Sequence, residues 1–354
     1  MQEKLTRTLA AIRPVNKELA APAKTHLDGL TKPPGSLGRL EELATRIYMI
    51  QESETLAPYP AMMYTIAGDH GVNAEGVSPF PQEVTRQMVL NFANGGAGIN
   101  VLTRMGGIDL KVVDAGVCGE KFPEHPDIIQ RKVRPGTDNM AQGPAMSQED
   151  CLKALCLGID LAHEAREAGY RSLGTGEMGI SNTTPSTALY CAFLGCDPVD
   201  ITGPGAGLKA EAIQHKITVI ARSLEVNAEA VRSKDPLKIL AAVGGLEIAA
   251  LAGLILGGAA NRMPVAVDGF ISTAAFITAR AFCPDVMDYC FISHQSAEPG
   301  YSAITSAVGQ RPLLDLDFRL GEGTGAAIAL YLLKCAAGIW NDMASFADAG
   351  VSGG

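Results

Sequence analysis

The stretch 61-AMMYTIAGDHG-71 sets the fold. A short uncharged run, rich in apolar residues, stops on a glycine and then on Asp69 and His70, as a buried strand does when it reaches the edge of its sheet. The same pattern returns at 109-DLKVVDAGV-117, 170-YRSLGTGEMG-179, 264-PVAVDGF-270 and 288-DYCFISHQS-296. Helical patterns lie between these runs, at 82–103, 147–168, 183–195, 209–224 and 245–260. Strand and helix in alternation predict parallel strands joined by helical crossovers, an α/β fold with a parallel sheet flanked by helices. Ligands of open parallel sheets bind beyond the carboxyl ends of the strands. The chain places Asp69, His70, Asp114, Glu177, Asp268, Ser293 and His294 at those ends. Strand ends need polar turn residues in any case, but five polar-ended strands in one chain point to a site.

The flanks read differently. Residues 1–57 are helical in pattern and are interrupted at 31-TKPPGSLG-38, where two prolines and two glycines stop a helix and form an ordered turn. Residues 321–348 are helical again. The expected organisation is a large α/β domain, 58–318, and a small helical domain assembled from both ends, 1–57 with 319–354. A chain of 354 residues suits one large unit plus a small one, and 47% hydrophobic with 19% charged residues implies a sizeable core.

Charge and composition exclude several classes of partner. The net charge is −9 and no run of lysine or arginine appears, which argues against nucleic acid. The eight cysteines form no C-x-x-C pair and read as reduced, small apolar residues of a cytosolic protein. The segment 1-MQEKLTRTLAAIRPVNKELA-20 carries charges every few residues, unlike a signal peptide. The longest uncharged apolar stretch, 248-IAALAGLILGGAAN-261, falls short of the ~20 residues of a membrane span and reads as a buried helix. A soluble, cytoplasmic protein with no membrane partner is expected.

Two glycine motifs follow each other. The segment 174-GTGEMG-179 matches G-x-G-x-x-G, with Gly174 and Gly176 in the first two places, and on its own indicates a dinucleotide site. Three facts weaken an oxidoreductase reading. The motif is in mid-chain; the helix starts only after 181-SNTTP-185; and Glu177 sits where a pyrophosphate would be repelled. The second motif, 203-GPGAG-207, contains Gly203 and Gly205 and precedes a helix carrying Lys216. Exposed N–H groups in such loops suit a phosphate monoester. A plain tight turn accounts equally well for either loop alone, whereas two in succession favour anion binding. A lysine on a helix is usually just solvated. No P-loop, H-E-x-x-H or G-x-S-x-G motif occurs, and His70 and His294 have no partner at metal-binding spacing.

Seven segments in order, 31-TKPPGSLGRLE-41, 68-GDHGV-72, 76-GVSPFPQEVT-85, 174-GTGEMGISNTTPS-186, 267-VDGF-270, 293-SHQSAE-298 and 320-LGEGTGAA-327, closely resemble one family across nearly the whole chain. It is the nicotinate-nucleotide–dimethylbenzimidazole phosphoribosyltransferase family, which helps make the lower nucleotide loop of cobalamin. The resemblance implies transfer of the phosphoribosyl group of nicotinate mononucleotide to a benzimidazole, giving an α-linked ribazole phosphate and nicotinate. It implies no metal or other cofactor, a homodimer, a Rossmann-like large domain and a small helical one. It makes Glu322, in 319-RLGEGTGAAIALYLL-333, the catalytic base. It places the aromatic base near Ser78, Phe80 and Gln87, and the nucleotide at the glycine loops and Ser293. Glu177, Lys216 and Asp268 are expected to bind substrate.

The chemistry fits a lone carboxylate between glycines. The attacking ring nitrogen becomes cationic as it bonds to the sugar, and its partner nitrogen must lose a proton to a base within reach. A helix N-terminus favours the ionised carboxylate and burial favours the neutral acid, so sequence leaves the balance open. An acid near a helix start is also favourable with no catalytic role. Two alternatives from other classes remain: a non-catalytic nucleotide-binding module and a nicotinamide-dependent oxidoreductase.

Overall fold

The 61–68 run becomes the centre of the sheet because every one of its residues has a face to bury. The computed structural model describes residues 1–352. In it β1 (Ala61–Gly68) is buried at each position, paired in parallel on one side to β2 (Asp109–Gly116) and on the other to β4 (Ser172–Met178). Strands β3 (Ile128–Gln130), β5 (Val265–Val267) and β6 (Cys290–Ile292) complete a six-stranded sheet of order β3-β2-β1-β4-β5-β6, parallel throughout. The order reverses between β1 and β4, which opens a crevice beyond their carboxyl ends.

Helices α1 (Gln2–Ala11), α2 (Ala20–Asp28) and α3 (Arg39–Gln51) precede the sheet. Between β1 and β2 lie α4 (Glu83–Ala93) and α5 (Gly98–Gly106), and α6 (Gln148–Glu167) leads into β4. From β4 to β5 the chain forms α7 (Thr183–Leu194), α8 (Pro198–Ile201), α9 (Ala210–Val226), α10 (Ala228–Arg232), α11 (Pro236–Val243) and α12 (Leu246–Ala260). Helix α13 (Phe270–Phe282) joins β5 to β6; α14 (Tyr301–Ala307), α15 (Thr324–Asp342) and α16 (Phe346–Ala349) follow.

Two expectations are corrected here. The helix expected over 82–103 is two helices, because 94-NGGA-97 ends α4, with Gly95 at φ 74°, before α5 begins. Strand β3 was not expected: three edge residues carry too little pattern to read.

The apolar stretch 248–261 forms most of α12 and its C-cap, and is buried from Ile248 to Ala259; among the described residues no helix is long and apolar enough to cross a membrane. Helix α12 packs on α6 backbone to backbone. A Cβ on Gly158 would overlap the Ala250 carbonyl, and one on Gly253 the Leu155 carbonyl. On the opposite face of the sheet α15 lies against β4 and β5 and also against α3. Trp340 of α15 stacks on Tyr48 of α3 with ring centroids 4.8 Å apart, and Leu30 forms a β-bridge with Ser345. The two ends of the chain therefore meet beside the sheet.

Candidate active site

A cavity of about 410 Å³ occupies the crevice at the strand ends. Its floor carries three carboxyl groups: Glu177 at the end of β4, Asp268 just after β5, and Glu322 just before α15. One wall is apolar, formed by Phe80, Val84, Met88, Met178 and Leu320. The opposite corner holds Lys216 with Thr183, Gly205 and Glu298.

Glu322 is 6% exposed and sits in the left-handed region at φ 64°, between Gly321 at φ 82° and Gly323 at φ 101°. A glutamate adopts that conformation only when its surroundings impose it. Its carbonyl accepts a hydrogen bond from Thr65 Oγ1 at 2.9 Å. That carbonyl lies where a Cβ of residue 176 would stand, so the position requires glycine. Its carboxylate Oε2 accepts from the Ile99 N–H at 3.2 Å, in the first turn of α5. The helix N-terminus that favours the ionised acid thus belongs to α5. Burial is nevertheless the largest influence and, with Asp268 nearby, raises the Glu322 pKa above the ordinary carboxylate value.

Glu177 goes further. Burial pushes its pKa up to about 8, with Asp268, Glu247 and Glu322 adding in the same direction against a hydrogen bond donated by Asn182. At neutral pH it is therefore a neutral acid beside the groove. Asp268 is raised by burial too, opposed by His294 and by backbone donors. Its Oδ1 accepts from the N–H groups of Gly325 (2.8 Å) and Ala326 (3.0 Å), its Oδ2 from Gly323 (3.1 Å).

Lys216, read from sequence as a solvated helix residue, is 1% exposed. Its Nζ donates to Thr183 Oγ1 at 2.6 Å and to the Gly203 carbonyl at 3.3 Å, and burial lowers its pKa to about 8 although Glu298 opposes this. Glu298 is buried with its Oε2 unpartnered, and its pKa is raised by burial.

Of the residues singled out in the sequence, Ser78, Phe80, Glu177, Gly205, Lys216, Asp268, His294 and Glu322 line one cavity. The others stand apart. Gly174 and Gly176 are not in a loop: they lie inside β4, paired to β1 and, at Gly174, to β5, so that stretch is strand and offers no turn to cradle a phosphate. Gly176 instead makes room for Glu322, and Gly174 for Met63 and Leu330. Gly203 opens the second loop but does not line the cavity, and a Cβ there would overlap Glu298. Gln87 is on the exposed side of α4, while Val84 and Met88 face inward. Ser293 lies beneath the wall, its Oγ 2.9 Å from His294 Nδ1. Asp268, expected to bind substrate, has its oxygens occupied by the first turn of α15.

Sequence reasoning missed Val84, Met88, Met178, Thr183, Glu298 and Arg319 as lining residues. The i,i+4 spacing of Val84 and Met88 was a usable signal, and Glu298 closes the quoted 293-SHQSAE-298 segment. His70, at the end of β1, pairs with Glu247 at 2.7 Å inside the protein. Burial pulls its pKa down, but Glu247 and Asp69 outweigh that and the net direction is up. Among the described residues no group of three His, Cys, Asp or Glu side chains comes together in a way that would hold a metal ion.

Comparison with known proteins bears on this arrangement. A family profile described as "Phosphoribosyltransferase" matches residues 12–351. The chain is 63% identical over 353 residues to the nicotinate-nucleotide–dimethylbenzimidazole phosphoribosyltransferase of Nitratidesulfovibrio vulgaris (strain DP4), covering 99% of each. It is 51% identical over 353 residues to the enzyme of the same name from Chlorobaculum tepidum, covering 100% of this chain and 99% of the relative. A crystal structure of that enzyme from Thermus thermophilus superposes with a TM-score of 0.89 at 45% identity, covering 96% of this chain and all of the other.

Proposed function

Since the chain belongs to the nicotinate-nucleotide–dimethylbenzimidazole phosphoribosyltransferase family, we propose that it transfers the phosphoribosyl group of nicotinate mononucleotide to 5,6-dimethylbenzimidazole or a related base, with Glu322 as the catalytic base. A neutral ring nitrogen attacks the anomeric carbon. The bond to the pyridinium nitrogen breaks, its electron pair stays with the departing ring, and nicotinate leaves with that ring uncharged. The N–H of the attacking ring passes its proton to Glu322. The products are α-ribazole 5′-phosphate and nicotinate, in cobalamin biosynthesis. No metal or cofactor is invoked.

The observation that supports this reading most is Glu322 itself: a buried carboxyl at the cavity edge whose raised pKa brings it toward the range in which a base works near neutral pH. The apolar wall of Phe80, Val84, Met88 and Met178 suits a flat aromatic base. Lys216, with Thr183 and Gly205, suits the phosphate. Glu177, neutral at pH 7, acts as a hydrogen-bond donor to substrate rather than as a second anion.

Three further features belong to the proposal. Residues 1–57 with 319–354 act as a smaller helical unit against the 58–318 unit, and the protein works in the cytoplasm. It also works as a homodimer. Leu90, Val101, Met105 and Leu320 are exposed on α4, α5 and the loop at the cavity mouth, an apolar face that a second copy would cover. The test is to incubate the protein with nicotinate mononucleotide and 5,6-dimethylbenzimidazole and analyse products by mass spectrometry. Both products are expected. Binding of the nucleotide with neither product, for this and related bases, would mean a non-catalytic nucleotide-binding module instead.

A further inference from the structure

Glu322 holds a backbone conformation that its neighbours must enforce, and three strands supply the means. Thr65 on β1 donates to its carbonyl, and Gly176 on β4 clears space for that carbonyl. Asp268, after β5, accepts from the N–H groups of Gly323, Gly325 and Ala326, the residue next to Glu322 and the first turn of α15. Of the three, only Asp268 grips the chain on the helix side of Glu322. It stands at the cavity wall, yet these donors occupy both of its oxygens; His294 Nδ1, 3.8 Å from Oδ1, backs it.

We propose that Asp268 is the positioning residue of the catalytic base: it contacts no substrate, but clamps the N-terminus of α15 and so fixes how the Glu322 carboxyl enters the cavity. The inference rests on Glu322 being the base. The first N–H groups of a helix have no partner within it, and a carboxylate is the strongest acceptor a side chain can offer them. Without the clamp, those donors would turn to water or substrate and the Gly321–Gly323 loop would lose its anchor on the helix side. A displacement of about 1 Å at a reacting group costs on the order of 10²-fold in rate.

In Asp268→Asn one acceptor oxygen is replaced by an NH₂ that faces N–H donors. We expect kcat to fall about 10²-fold while KM for nicotinate mononucleotide stays within about threefold, the signature of a misplaced base rather than lost binding. Asp268→Ala leaves a space open to the cavity, and added formate should restore part of kcat by accepting the same N–H groups. The titratable groups lining the cavity with Glu322 are Glu177, Lys216, Asp268, His294, Glu298 and Arg319. Asp268 raises the Glu322 pKa, so Asp268→Asn should also move the acid limb of kcat to lower pH.

A folded Asp268→Asn enzyme with wild-type kcat, or one that loses only affinity, would overturn the proposal, as would a folded Asp268→Ala enzyme that formate cannot rescue. Should the alanine variant fail to fold, by circular dichroism, the asparagine variant decides alone. Glu322→Gln is measured alongside. If it turns over normally, the base assignment fails and the clamp with it; if it is inactive while Asp268→Asn is not, the clamp alone fails.

Discussion

Glu322, Glu177 and Lys216 each owe their chemistry to burial, and each predicts its own pH behaviour. As the proposed base Glu322 must be ionised to accept a proton, and its pKa is raised, so kcat should fall on acidification at a pH above the ordinary carboxylate range. A pH profile at saturating substrate checks this. Lys216 loses its charge as pH rises through about 8, so KM for nicotinate mononucleotide should rise across that range, and Lys216→Ala should raise KM at neutral pH and flatten its dependence. Glu177 supplies a stability test. Its folded pKa of about 8 lies above the unfolded value, so the native state is favoured when the group is protonated, and stability falls as pH rises from the unfolded value to about 8. Glu177→Gln, neutral at every pH, should therefore be more stable than the parent at pH 8, by on the order of 1–3 kcal/mol, and little different at pH 4, as thermal melts would show. The place of Glu322 in the cavity was legible in the sequence because its motif is distinctive. The burial of Lys216 was not, because helical spacing alone does not reveal which face α9 turns toward Thr183.

At the scale of elements the close approaches are made by glycine. Gly176 lets β4 pass against the Glu322 carbonyl, and Gly158 and Gly253 let α6 and α12 touch backbone to backbone. Gly253→Ala should lower stability by roughly 1–3 kcal/mol or more, since the added methyl meets a carbonyl on a neighbouring helix and not a movable side chain; a denaturant titration measures it. Five of the six strands were readable from apolar runs ended by polar residues. The sixth, β3, takes its strand conformation from the edge of β2 rather than from its own sequence. The G-x-G-x-x-G pattern misled for a related reason. Its first glycines satisfy packing inside a strand, and a spacing rule does not separate a glycine that clears space for a neighbouring carbonyl from one that admits a phosphate.

For the whole molecule, the sheet order places the switch between β1 and β4, and the carboxyl floor, the apolar wall and the lysine corner all gather there. Alternation of strand and helix foretold where the cavity would open; which side chains enter it depended on helix rotation and on loops returning from distant parts of the chain. The exposed face with Val101 and Met105 predicts association: sedimentation should give twice the mass of one chain, and Met105→Glu should shift it toward a single copy. The central claim is that Glu322 takes the proton from the attacking ring. The most direct measurement compares turnover of wild-type and Glu322→Gln protein on nicotinate mononucleotide and 5,6-dimethylbenzimidazole, with nucleotide affinity measured by calorimetry. A loss of about 10²–10⁴-fold in kcat with nucleotide affinity preserved is predicted; wild-type turnover by Glu322→Gln would contradict the account.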